Sequence, residues 1–307
     1  MMNETATSPR RLDHLVTEHQ QGKTVYVLLR YVLGVSGTVL RRIKWLEDGI
    51  LLDGQRVTTR QTVSAGQLLS IRLSDPSAET DIPPVPLPLS IVYEDRDMVV
   101  VNKAPGMPSH PGPGHWQDSL GNALTAHWQV WDPWAVFHPV HRLDKGTSGL
   151  MVTAKHPFAQ EQLKQQLHTE AFRRVYLAVC DGTPAPDSGT IDAPIARADS
   201  SVLKRACAPE GMAAVTHYRT LFTDGRRSLV RLELETGRTH QIRVHMAHIG
   251  CPLTGDFLYG TEQPGLIARP ALHSAELSLL HPVTGEPLSF SAPLPEDIHR
   301  LLPSAAL

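Results

Sequence analysis

The sequence predicts an α+β protein in which a small α/β module precedes a larger, β-rich domain. Its 307 residues are too many for one typical hydrophobic core and fit two domains of unequal size. A proline-rich stretch over residues 76–88 indicates a stiff, extended linker. From residue 89 onward, apolar runs paired across turns predict antiparallel strands. The predicted segments are a disordered tail at 1–8, the module at 9–75, the linker at 76–88 and the main domain at 89–302.

The N-terminal module is predicted to contain a helix. Apolar residues recur at helical spacing after Ser36, a candidate N-cap, and Gly49 is placed to end the helix. Asp53-Gly54 predicts a tight hairpin, and residues 65–71 predict a further strand. This order of helix, Asp-Gly hairpin and strand resembles the alpha-L RNA-binding module. The resemblance implies that basic residues off the apolar stripe bind RNA; they are Arg41, Arg42 and Lys44.

Charge is distributed unevenly along the chain. Residues 9–73 contain ten Lys and Arg against five Asp and Glu, a net charge of +5. Because the whole chain carries −2, the remainder carries −7. This segregation favours a basic module that meets a polyanion, although an ordinary solvated surface would give the same count.

The main domain is predicted to alternate strands and helices. The predicted strands cover residues 91–93, 98–101, 174–179, 216–222, 228–235, 271–280 and 288–292, with another in the apolar run that follows residue 148. The predicted helices cover residues 118–128, 156–169 and 239–249.

The most informative segment is His141–Lys155. Arg142 and Asp144 are two residues apart, so their side chains point to the same side if the loop is extended. A Gly/Thr/Ser turn and an apolar run follow, which predicts a rigid exposed loop resting on a buried strand. A guanidinium favours the ionised form of a neighbouring carboxylate, and an ionised carboxylate can act as a nucleophile toward carbon.

A second segment, Leu234–Met246, predicts a strand, a glycine turn and a helix that carries Arg243 near its start. From there Arg243 can reach a carboxylate on another loop. The histidines at 240, 245 and 248 lack the i, i+4 spacing of a helical metal pair, so we predict no metal site.

Aromatic residues add two less specific signals. Tyr176, within an apolar strand, is by pattern more often a core residue than a catalytic one. A tryptophan cluster before the Arg-Asp loop favours a core wall over a base-stacking surface, because no basic residues interleave with it. The cluster consists of Trp116, Trp128, Trp131 and Trp134, with Phe137 after it.

Together these segments resemble the RluA-type pseudouridine synthases. The motifs that carry the resemblance are HRLDKGTSGL at 141–150, RVYLA at 174–178 and LETGRTHQIRVHM at 234–246, with supporting matches at 101–112, 250–260 and 271–295. The family's fold implies a mixed, mostly antiparallel central sheet with flanking helices and a central cleft. The resemblance also implies an enzyme that isomerises specific uridines of ribosomal or transfer RNA to pseudouridine, with no cofactor and no metal.

The resemblance assigns a role to each motif residue. Asp144 matches the catalytic aspartate, and Arg243 matches the arginine that pairs with it. Tyr176 matches the tyrosine that stacks on the uracil and removes the final proton. Arg142 matches the residue that replaces the flipped base in the RNA, and His141 beside it is expected to contact RNA.

Two other functions fit parts of the sequence. The basic module alone fits a non-catalytic RNA-binding or ribosome-assembly factor. A glycoside or nucleoside hydrolase needs two carboxylates, and Asp256 is the candidate to accompany Asp144.

The remaining expectations concern partners and location. The N-terminus has no secretion signal, no run reaches membrane-spanning length, and the three cysteines are few and widely spaced. We therefore expect a cytoplasmic monomer with reduced thiols that binds RNA and no membrane. The sequence leaves open which uridine is modified, and whether the carboxylate attacks C1′ or removes a proton from C2′.

Overall fold

Two β-sheets organise the chain in the computed structural model, which describes residues 8–74, 81–198 and 203–303. Within these ranges, a four-stranded sheet precedes a ten-stranded sheet, and a two-stranded ribbon lies in the second half. Nearly all of the predicted tail and the first part of the predicted linker lie outside the described residues.

Helices are few and short among the strands. The strands are β1 (Arg11–Leu15), β2 (Ile50–Leu52), β3 (Gln55–Arg56), β4 (Leu68–Arg72), β5 (Ile91–Glu94), β6 (Met98–Lys103), β7 (His138–Pro139), β8 (Ser148–Ala154), β9 (Arg173–Asp181), β10 (Ser188–Asp192), β11 (Ile195–Arg197), β12 (Arg205–Cys207), β13 (Val215–Thr223), β14 (Arg227–Leu234), β15 (Leu272–Leu280) and β16 (Pro287–Ser291). The α-helices are α1 (Val25–Val27), α2 (Gly37–Ile43), α3 (Leu120–Trp131), α4 (Pro157–Gln166), α5 (Gln241–His248) and α6 (Glu296–His299), and a π-helical turn over Leu28–Val32 extends α1.

The first sheet is antiparallel in the order β1-β4-β2-β3. Asp53 and Gly54 both have positive φ, as a two-residue hairpin turn requires, so the predicted hairpin is confirmed. The Ser36 side chain accepts a hydrogen bond from the Val39 amide and caps α2 as predicted.

The helix α2 is shorter than predicted. It ends at Ile43, and the amides of Leu46 and Gly49 then close two four-residue turns by donating to the carbonyls three residues before them. A Cβ at Gly49 would lie 1.8 Å from the carbonyl oxygen of Ile43. Gly49 therefore permits the close return of the chain into β2 rather than ending the helix.

The second sheet runs β10-β13-β14-β9-β15-β8-β6-β5, with β16 beside β15 and β7 beside β8. Every pairing is antiparallel except that of β15 with β8. The predicted mixed, mostly antiparallel sheet is therefore confirmed.

The parallel pair brings distant segments together. His273 of β15 lies opposite Ser148 of β8, while Ser274 lies opposite both Gly149 and Tyr176 of β9. The loop that enters β8 therefore lies beside the centre of β9.

The tryptophan cluster divides between core and surface. Trp128 and Phe137 are buried in the main core, as predicted, and the Trp128 indole donates a hydrogen bond to Glu94. The core prediction is wrong for Trp116 and Trp131, which are 63% and 38% exposed. Trp116 precedes α3 in a loop, and Trp131 is its last residue, so neither is held on the buried face of the helix.

The two sheets meet through buried charged and apolar contacts. Arg10 donates two hydrogen bonds to the carboxylate of Asp97, at 2.7 and 2.9 Å, and His156 lies 2.9 Å from the same carboxylate. Phe158 of α4 is buried in the core of the first sheet. No helix in the described ranges is long and apolar enough to cross a membrane.

We predict that Gly149→Ala destabilises the protein by about 4 kcal/mol, because two costs combine at this residue. Its φ is +110°, and an added Cβ would lie 2.2 Å from the carbonyl oxygen of Ser274. Gly225→Ala is the control, since its φ is +83° but no atom lies within 4 Å, and it should cost about 1–2 kcal/mol. Urea unfolding measures both, and equal losses would contradict the proposed close packing of β8 on β15.

Candidate active site

The loop between β7 and β8 presents Asp144. The amide of Thr147 donates to the carbonyl of Asp144 at 3.0 Å, which closes a tight turn. Leu143 beside it is buried in the main core, whereas the Asp144 side chain remains 20% exposed. The loop thus has a fixed base and an accessible carboxylate.

Residues 103–109 hold this loop from one side. The Ser109 hydroxyl donates to the carbonyl of Leu143 at 2.7 Å and accepts from its amide at 3.1 Å. Lys103 is almost fully buried, and its ammonium donates to the carbonyl of Lys145 in this loop at 3.5 Å, as well as to those of Ala104 and Met107. Burial lowers the pKa of Lys103 to about 7, although the charge of Asp144 opposes that shift. Sequence reasoning assigned no role to Lys103 or Ser109, even though both lie in a matching segment.

Arg269 holds the loop from another side. Its guanidinium donates to the carbonyl of Gly146 at 3.1 Å and forms a bidentate pair with Asp297 at 2.7 and 2.8 Å. Sequence reasoning missed this residue, because Arg269 is far from the loop in sequence and belongs to no recognisable pattern.

Arg243 of α5 lies between two carboxylates. Its Nε and Nη2 each donate to Asp256 at 2.7 Å, and its Nη1 lies 3.6 Å from an oxygen of Asp144. Asp256 is fully buried and also accepts from the amides of Leu258 and Tyr259. The structure therefore brings Arg243 to Asp144, but its closer partner is Asp256.

His240 adjoins the same carboxylate in a strained backbone conformation. Its φ is +60°, which is uncommon for a residue other than glycine. Its Nδ1 is 2.8 Å from the hydroxyl of Tyr259, and its Nε2 is 3.9 Å from Asp144. Burial lowers the pKa of His240, and the charge of Asp144 partly offsets this. The imidazole is thus held as a neutral group beside the carboxylate.

Asp144, Tyr176 and Arg243 line one cavity of about 390 Å³, together with Arg142 and His141. A cavity of this size is within the range that holds small ligands. Arg142 is exposed, whereas the His141 ring accepts a hydrogen bond from the Val152 amide and lies edge-on to Phe172. Burial raises the pKa of Tyr176, so its phenol is neutral in the free protein.

The cavity is strongly cationic. Asp144 is the one carboxylate among its described lining residues. The Arg and Lys residues of the lining are Arg142, Lys164, Arg174, Arg238 and Arg243. This balance favours an anionic ligand.

The predicted RNA-binding residues of the N-terminal module are exposed but do not line the cavity. Arg41 and Arg42 lie on the exposed face of α2, and Lys44 follows at its C-terminus. Burial lowers the pKa of His138 to about 4, and the charges of Arg42 and Lys164 add to that effect. Arg42 and Lys164 thus both act on His138, and Lys164 also lines the cavity.

One group of described residues has the composition of a cation site. Ligand atoms of Asp95, Asp97 and His281 lie within 4.8 Å of one another. Arg10 and His156 already occupy the Asp97 carboxylate, and none of these residues lines the cavity. This cluster belongs to the contact between the two sheets.

Comparisons with known proteins agree on one family. Residues 97–248 match the family model described as RNA pseudouridylate synthase. The chain is 41% identical over 271 residues to the Bacillus subtilis protein named uncharacterized RNA pseudouridine synthase YjbO, covering 88% of this chain and 95% of that protein. It is 41% identical over 280 residues to ribosomal large subunit pseudouridine synthase D of Xanthomonas campestris, covering 85% and 83%. The structure of human RNA pseudouridylate synthase domain containing 4 aligns with a TM-score of 0.55 at 28% identity, covering 69% and 92%.

We predict that Asp256→Asn destabilises the protein by about 3–5 kcal/mol, because it leaves Arg243 buried without its bidentate partner. Glu296→Gln is the control, since it breaks an ion pair with Arg300 in which both side chains are exposed. That change should cost about 1 kcal/mol. Urea unfolding distinguishes them, and a loss for Asp256→Asn no larger than that of the control would show that Arg243 does not depend on Asp256.

Proposed function

The chain belongs to the RNA pseudouridine synthase family, of the RluA type, and we propose that it isomerises a specific uridine by means of the Asp144 carboxylate. One observation carries this proposal. The partly exposed carboxylate of Asp144 lies 3.6 Å from a buried guanidinium, in a cavity where the other described lining residues with a full charge are all arginine or lysine.

The reaction suits a single carboxylate. Conversion of uridine to pseudouridine breaks the N1–C1′ bond, rotates the uracil and forms a C5–C1′ bond. Substrate and product are isomers, so the atoms and electrons balance without a redox partner. Asp144 either attacks C1′ or removes the proton from C2′, and Arg243 orients it for both routes.

Asp256 is not available as the second catalytic carboxylate that a hydrolase would need. Asp256 is fully buried and holds Arg243 through two short hydrogen bonds. It is therefore engaged as a structural partner, whereas a glycosidase needs two carboxylates that flank the scissile bond.

Access to Asp144 requires an unstacked nucleotide. A uridine in a helix must leave its stack before a side chain reaches C1′, which costs a few kcal/mol. Arg142 lines the cavity and is exposed two residues from Asp144. We assign it the space that the flipped base vacates, where its guanidinium can bond to the orphaned partner base or to phosphate.

Tyr176 is positioned for the uracil ring. It is buried in β9 and lines the same cavity as Asp144, so its ring can stack on the flipped base. When C5 bonds to C1′, the C5 proton must leave, and N1 gains a proton in the product. Burial raises the pKa of Tyr176, but the charge of Arg174 acts in the opposite direction and favours the phenolate that would accept this proton.

We propose residues 9–75 as the RNA-binding domain and large-subunit ribosomal RNA as the substrate. Arg42 on α2 and Lys164 at the cavity both act on His138, which supports an RNA path from α2 to the cavity. The name of the Xanthomonas relative supports the ribosomal substrate over transfer RNA, and with it a cytoplasmic location. We propose that the enzyme acts as a monomer.

We predict that Asp144→Asn abolishes pseudouridine formation while the protein still folds and binds RNA, because a partly exposed loop carboxylate is not part of the core. RNA carrying tritium at C5 of uridine reports the reaction, since forming the C5–C1′ bond releases that hydrogen. The expected loss is at least about 10⁴-fold in the single-turnover rate.

Asp187→Asn, an exposed carboxylate outside the cavity, is the control and should release tritium at the normal rate. Chemical mapping of pseudouridine in cellular RNA with and without the gene identifies the target. Release of free uracil would indicate hydrolysis, and tritium release by Asp144→Asn at the normal rate would refute the role of Asp144.

We predict that the triple change Arg41→Gln, Arg42→Gln and Lys44→Gln weakens RNA binding without removing the chemistry. Each lost phosphate contact should lower the slope of log affinity against log salt by about 0.7–0.9. The triple change Arg219→Gln, Arg226→Gln and Arg300→Gln removes the same charge from exposed sites outside the cavity. Equal slopes for the two variants across a salt series would refute a binding role for the module.

A further inference from the structure

Arg174 is a buried arginine for which the described part of the chain supplies no anionic partner. It lies on β9, two residues before Tyr176, and is 5% exposed. Its Nε is buried without a hydrogen-bond partner, and no carboxylate of a described residue forms an ion pair with it. An unpaired buried charge costs several kcal/mol, so such an arginine calls for an explanation.

Other buried arginines of the protein are paired. Arg243 forms two hydrogen bonds with Asp256, Arg269 forms two with Asp297, and Arg72 pairs with Asp48 at 2.8 Å. The fold thus neutralises these buried guanidinium groups with an aspartate but leaves Arg174 without one.

The surroundings of Arg174 are neutral. Its guanidinium carbon lies 5.7 Å from the centre of the Phe172 ring, which supplies only a weak cation–π contact. The neighbouring His141 is uncharged at neutral pH, because burial and the charge of Arg174 lower its pKa to about 3. Tyr176 is a neutral phenol in the free protein, since burial raises its pKa.

Arg174 also borders open space. It lines the cavity that contains Asp144, and so does Gly237. A Cβ added at Gly237 would lie 3.3 Å from Nη1 of Arg174, so the glycine keeps the backbone close to the guanidinium without covering it. A ligand in the cavity can therefore reach a charge that the protein itself leaves unneutralised.

We propose that Arg174 binds a phosphodiester oxygen of the substrate RNA next to the flipped uridine. This inference rests on the proposed function and adds a phosphate-binding residue to it. A guanidinium presents two parallel N–H groups that fit two phosphate oxygens, and one phosphodiester carries the single charge needed to neutralise it. When RNA binds, its phosphate becomes the anionic partner that Arg174 does not have in the free protein.

The test compares Arg174→Met with Arg173→Met, its neighbour on the same strand. Arg173 is 56% exposed and pairs with Glu233 outside the cavity. With large-subunit ribosomal RNA transcribed in vitro and tritiated at C5 of uridine, Arg174→Met should raise KM about 10- to 100-fold. It should also lower the salt slope of RNA binding by about 0.7–0.9, while Arg173→Met remains close to the wild type.

The stability of the free protein is a second measurement, because a phosphate-binding role and a structural role of Arg174 predict different changes in it. Removing an unpaired buried charge should leave the urea midpoint of the free protein unchanged or raise it, whereas removing a structural arginine should lower it. Inorganic phosphate should raise the thermal midpoint of the wild type, and at least half of that rise should be lost in Arg174→Met.

The outcomes separate this inference from the proposed function. If the wild type releases no tritium from any RNA, the proposed function fails, and the response to inorganic phosphate alone decides whether Arg174 is an anion site. If the wild type is active and Arg174→Met keeps its KM and salt slope, the inference is overturned. A fall in kcat with a shifted pH profile and unchanged KM would also overturn it, because Arg174 would then act only on the proton of Tyr176 and not on a phosphate.

Discussion

The contact between Arg243 and its two carboxylates is the constraint on which the site depends. Asp256 holds the guanidinium from a fully buried position, through two hydrogen bonds of 2.7 Å, and leaves Nη1 facing Asp144 at 3.6 Å. If Asp144 were the only partner of Arg243, the Asp144 carboxylate would have to neutralise the guanidinium by itself. With a second carboxylate, the charge of Arg243 is largely balanced, and Asp144 keeps its accessible position with an oriented donor beside it.

The loop that carries Asp144 owes its shape to contacts from distant parts of the chain. Ser109 and Lys103 hold it from one side through the carbonyls of Leu143 and Lys145, and Arg269 holds it from another. These side chains bond mainly to backbone carbonyl groups, which a loop cannot satisfy within itself. The parallel pairing of β8 with β15 then places the loop beside Tyr176. The geometry of the site is therefore a property of the whole sheet.

Because the site depends on contacts between distant parts of the chain, only its local features could be predicted from the sequence. The Asp53-Gly54 hairpin and the Ser36 cap follow from local backbone preferences, and both are confirmed. The mixed, mostly antiparallel sheet was expected only through the family resemblance, and the order of its strands was not predicted, because pairing between distant strands leaves no local pattern. Short strands such as β10, β11 and β12 were not predicted, since three to five residues carry too little periodicity. Asp256 was considered as a second catalytic carboxylate, and its bond to Arg243 became visible only with the fold.

The charge of the cavity reflects a conflict between folding and binding. A protein selected only for stability would neutralise or replace a guanidinium buried to the extent of Arg174, as it neutralises Arg243 and Arg269. The cavity instead retains more positive charge than Asp144, the one carboxylate among its described lining residues, can balance. A polyanion neutralises this excess positive charge when it binds. Part of the free energy of binding therefore comes from the relief of charge repulsion and of unfavourable burial already present in the free protein. Because neutral molecules gain nothing from this excess, the same cost that weakens the free fold favours an anionic substrate over a free nucleobase.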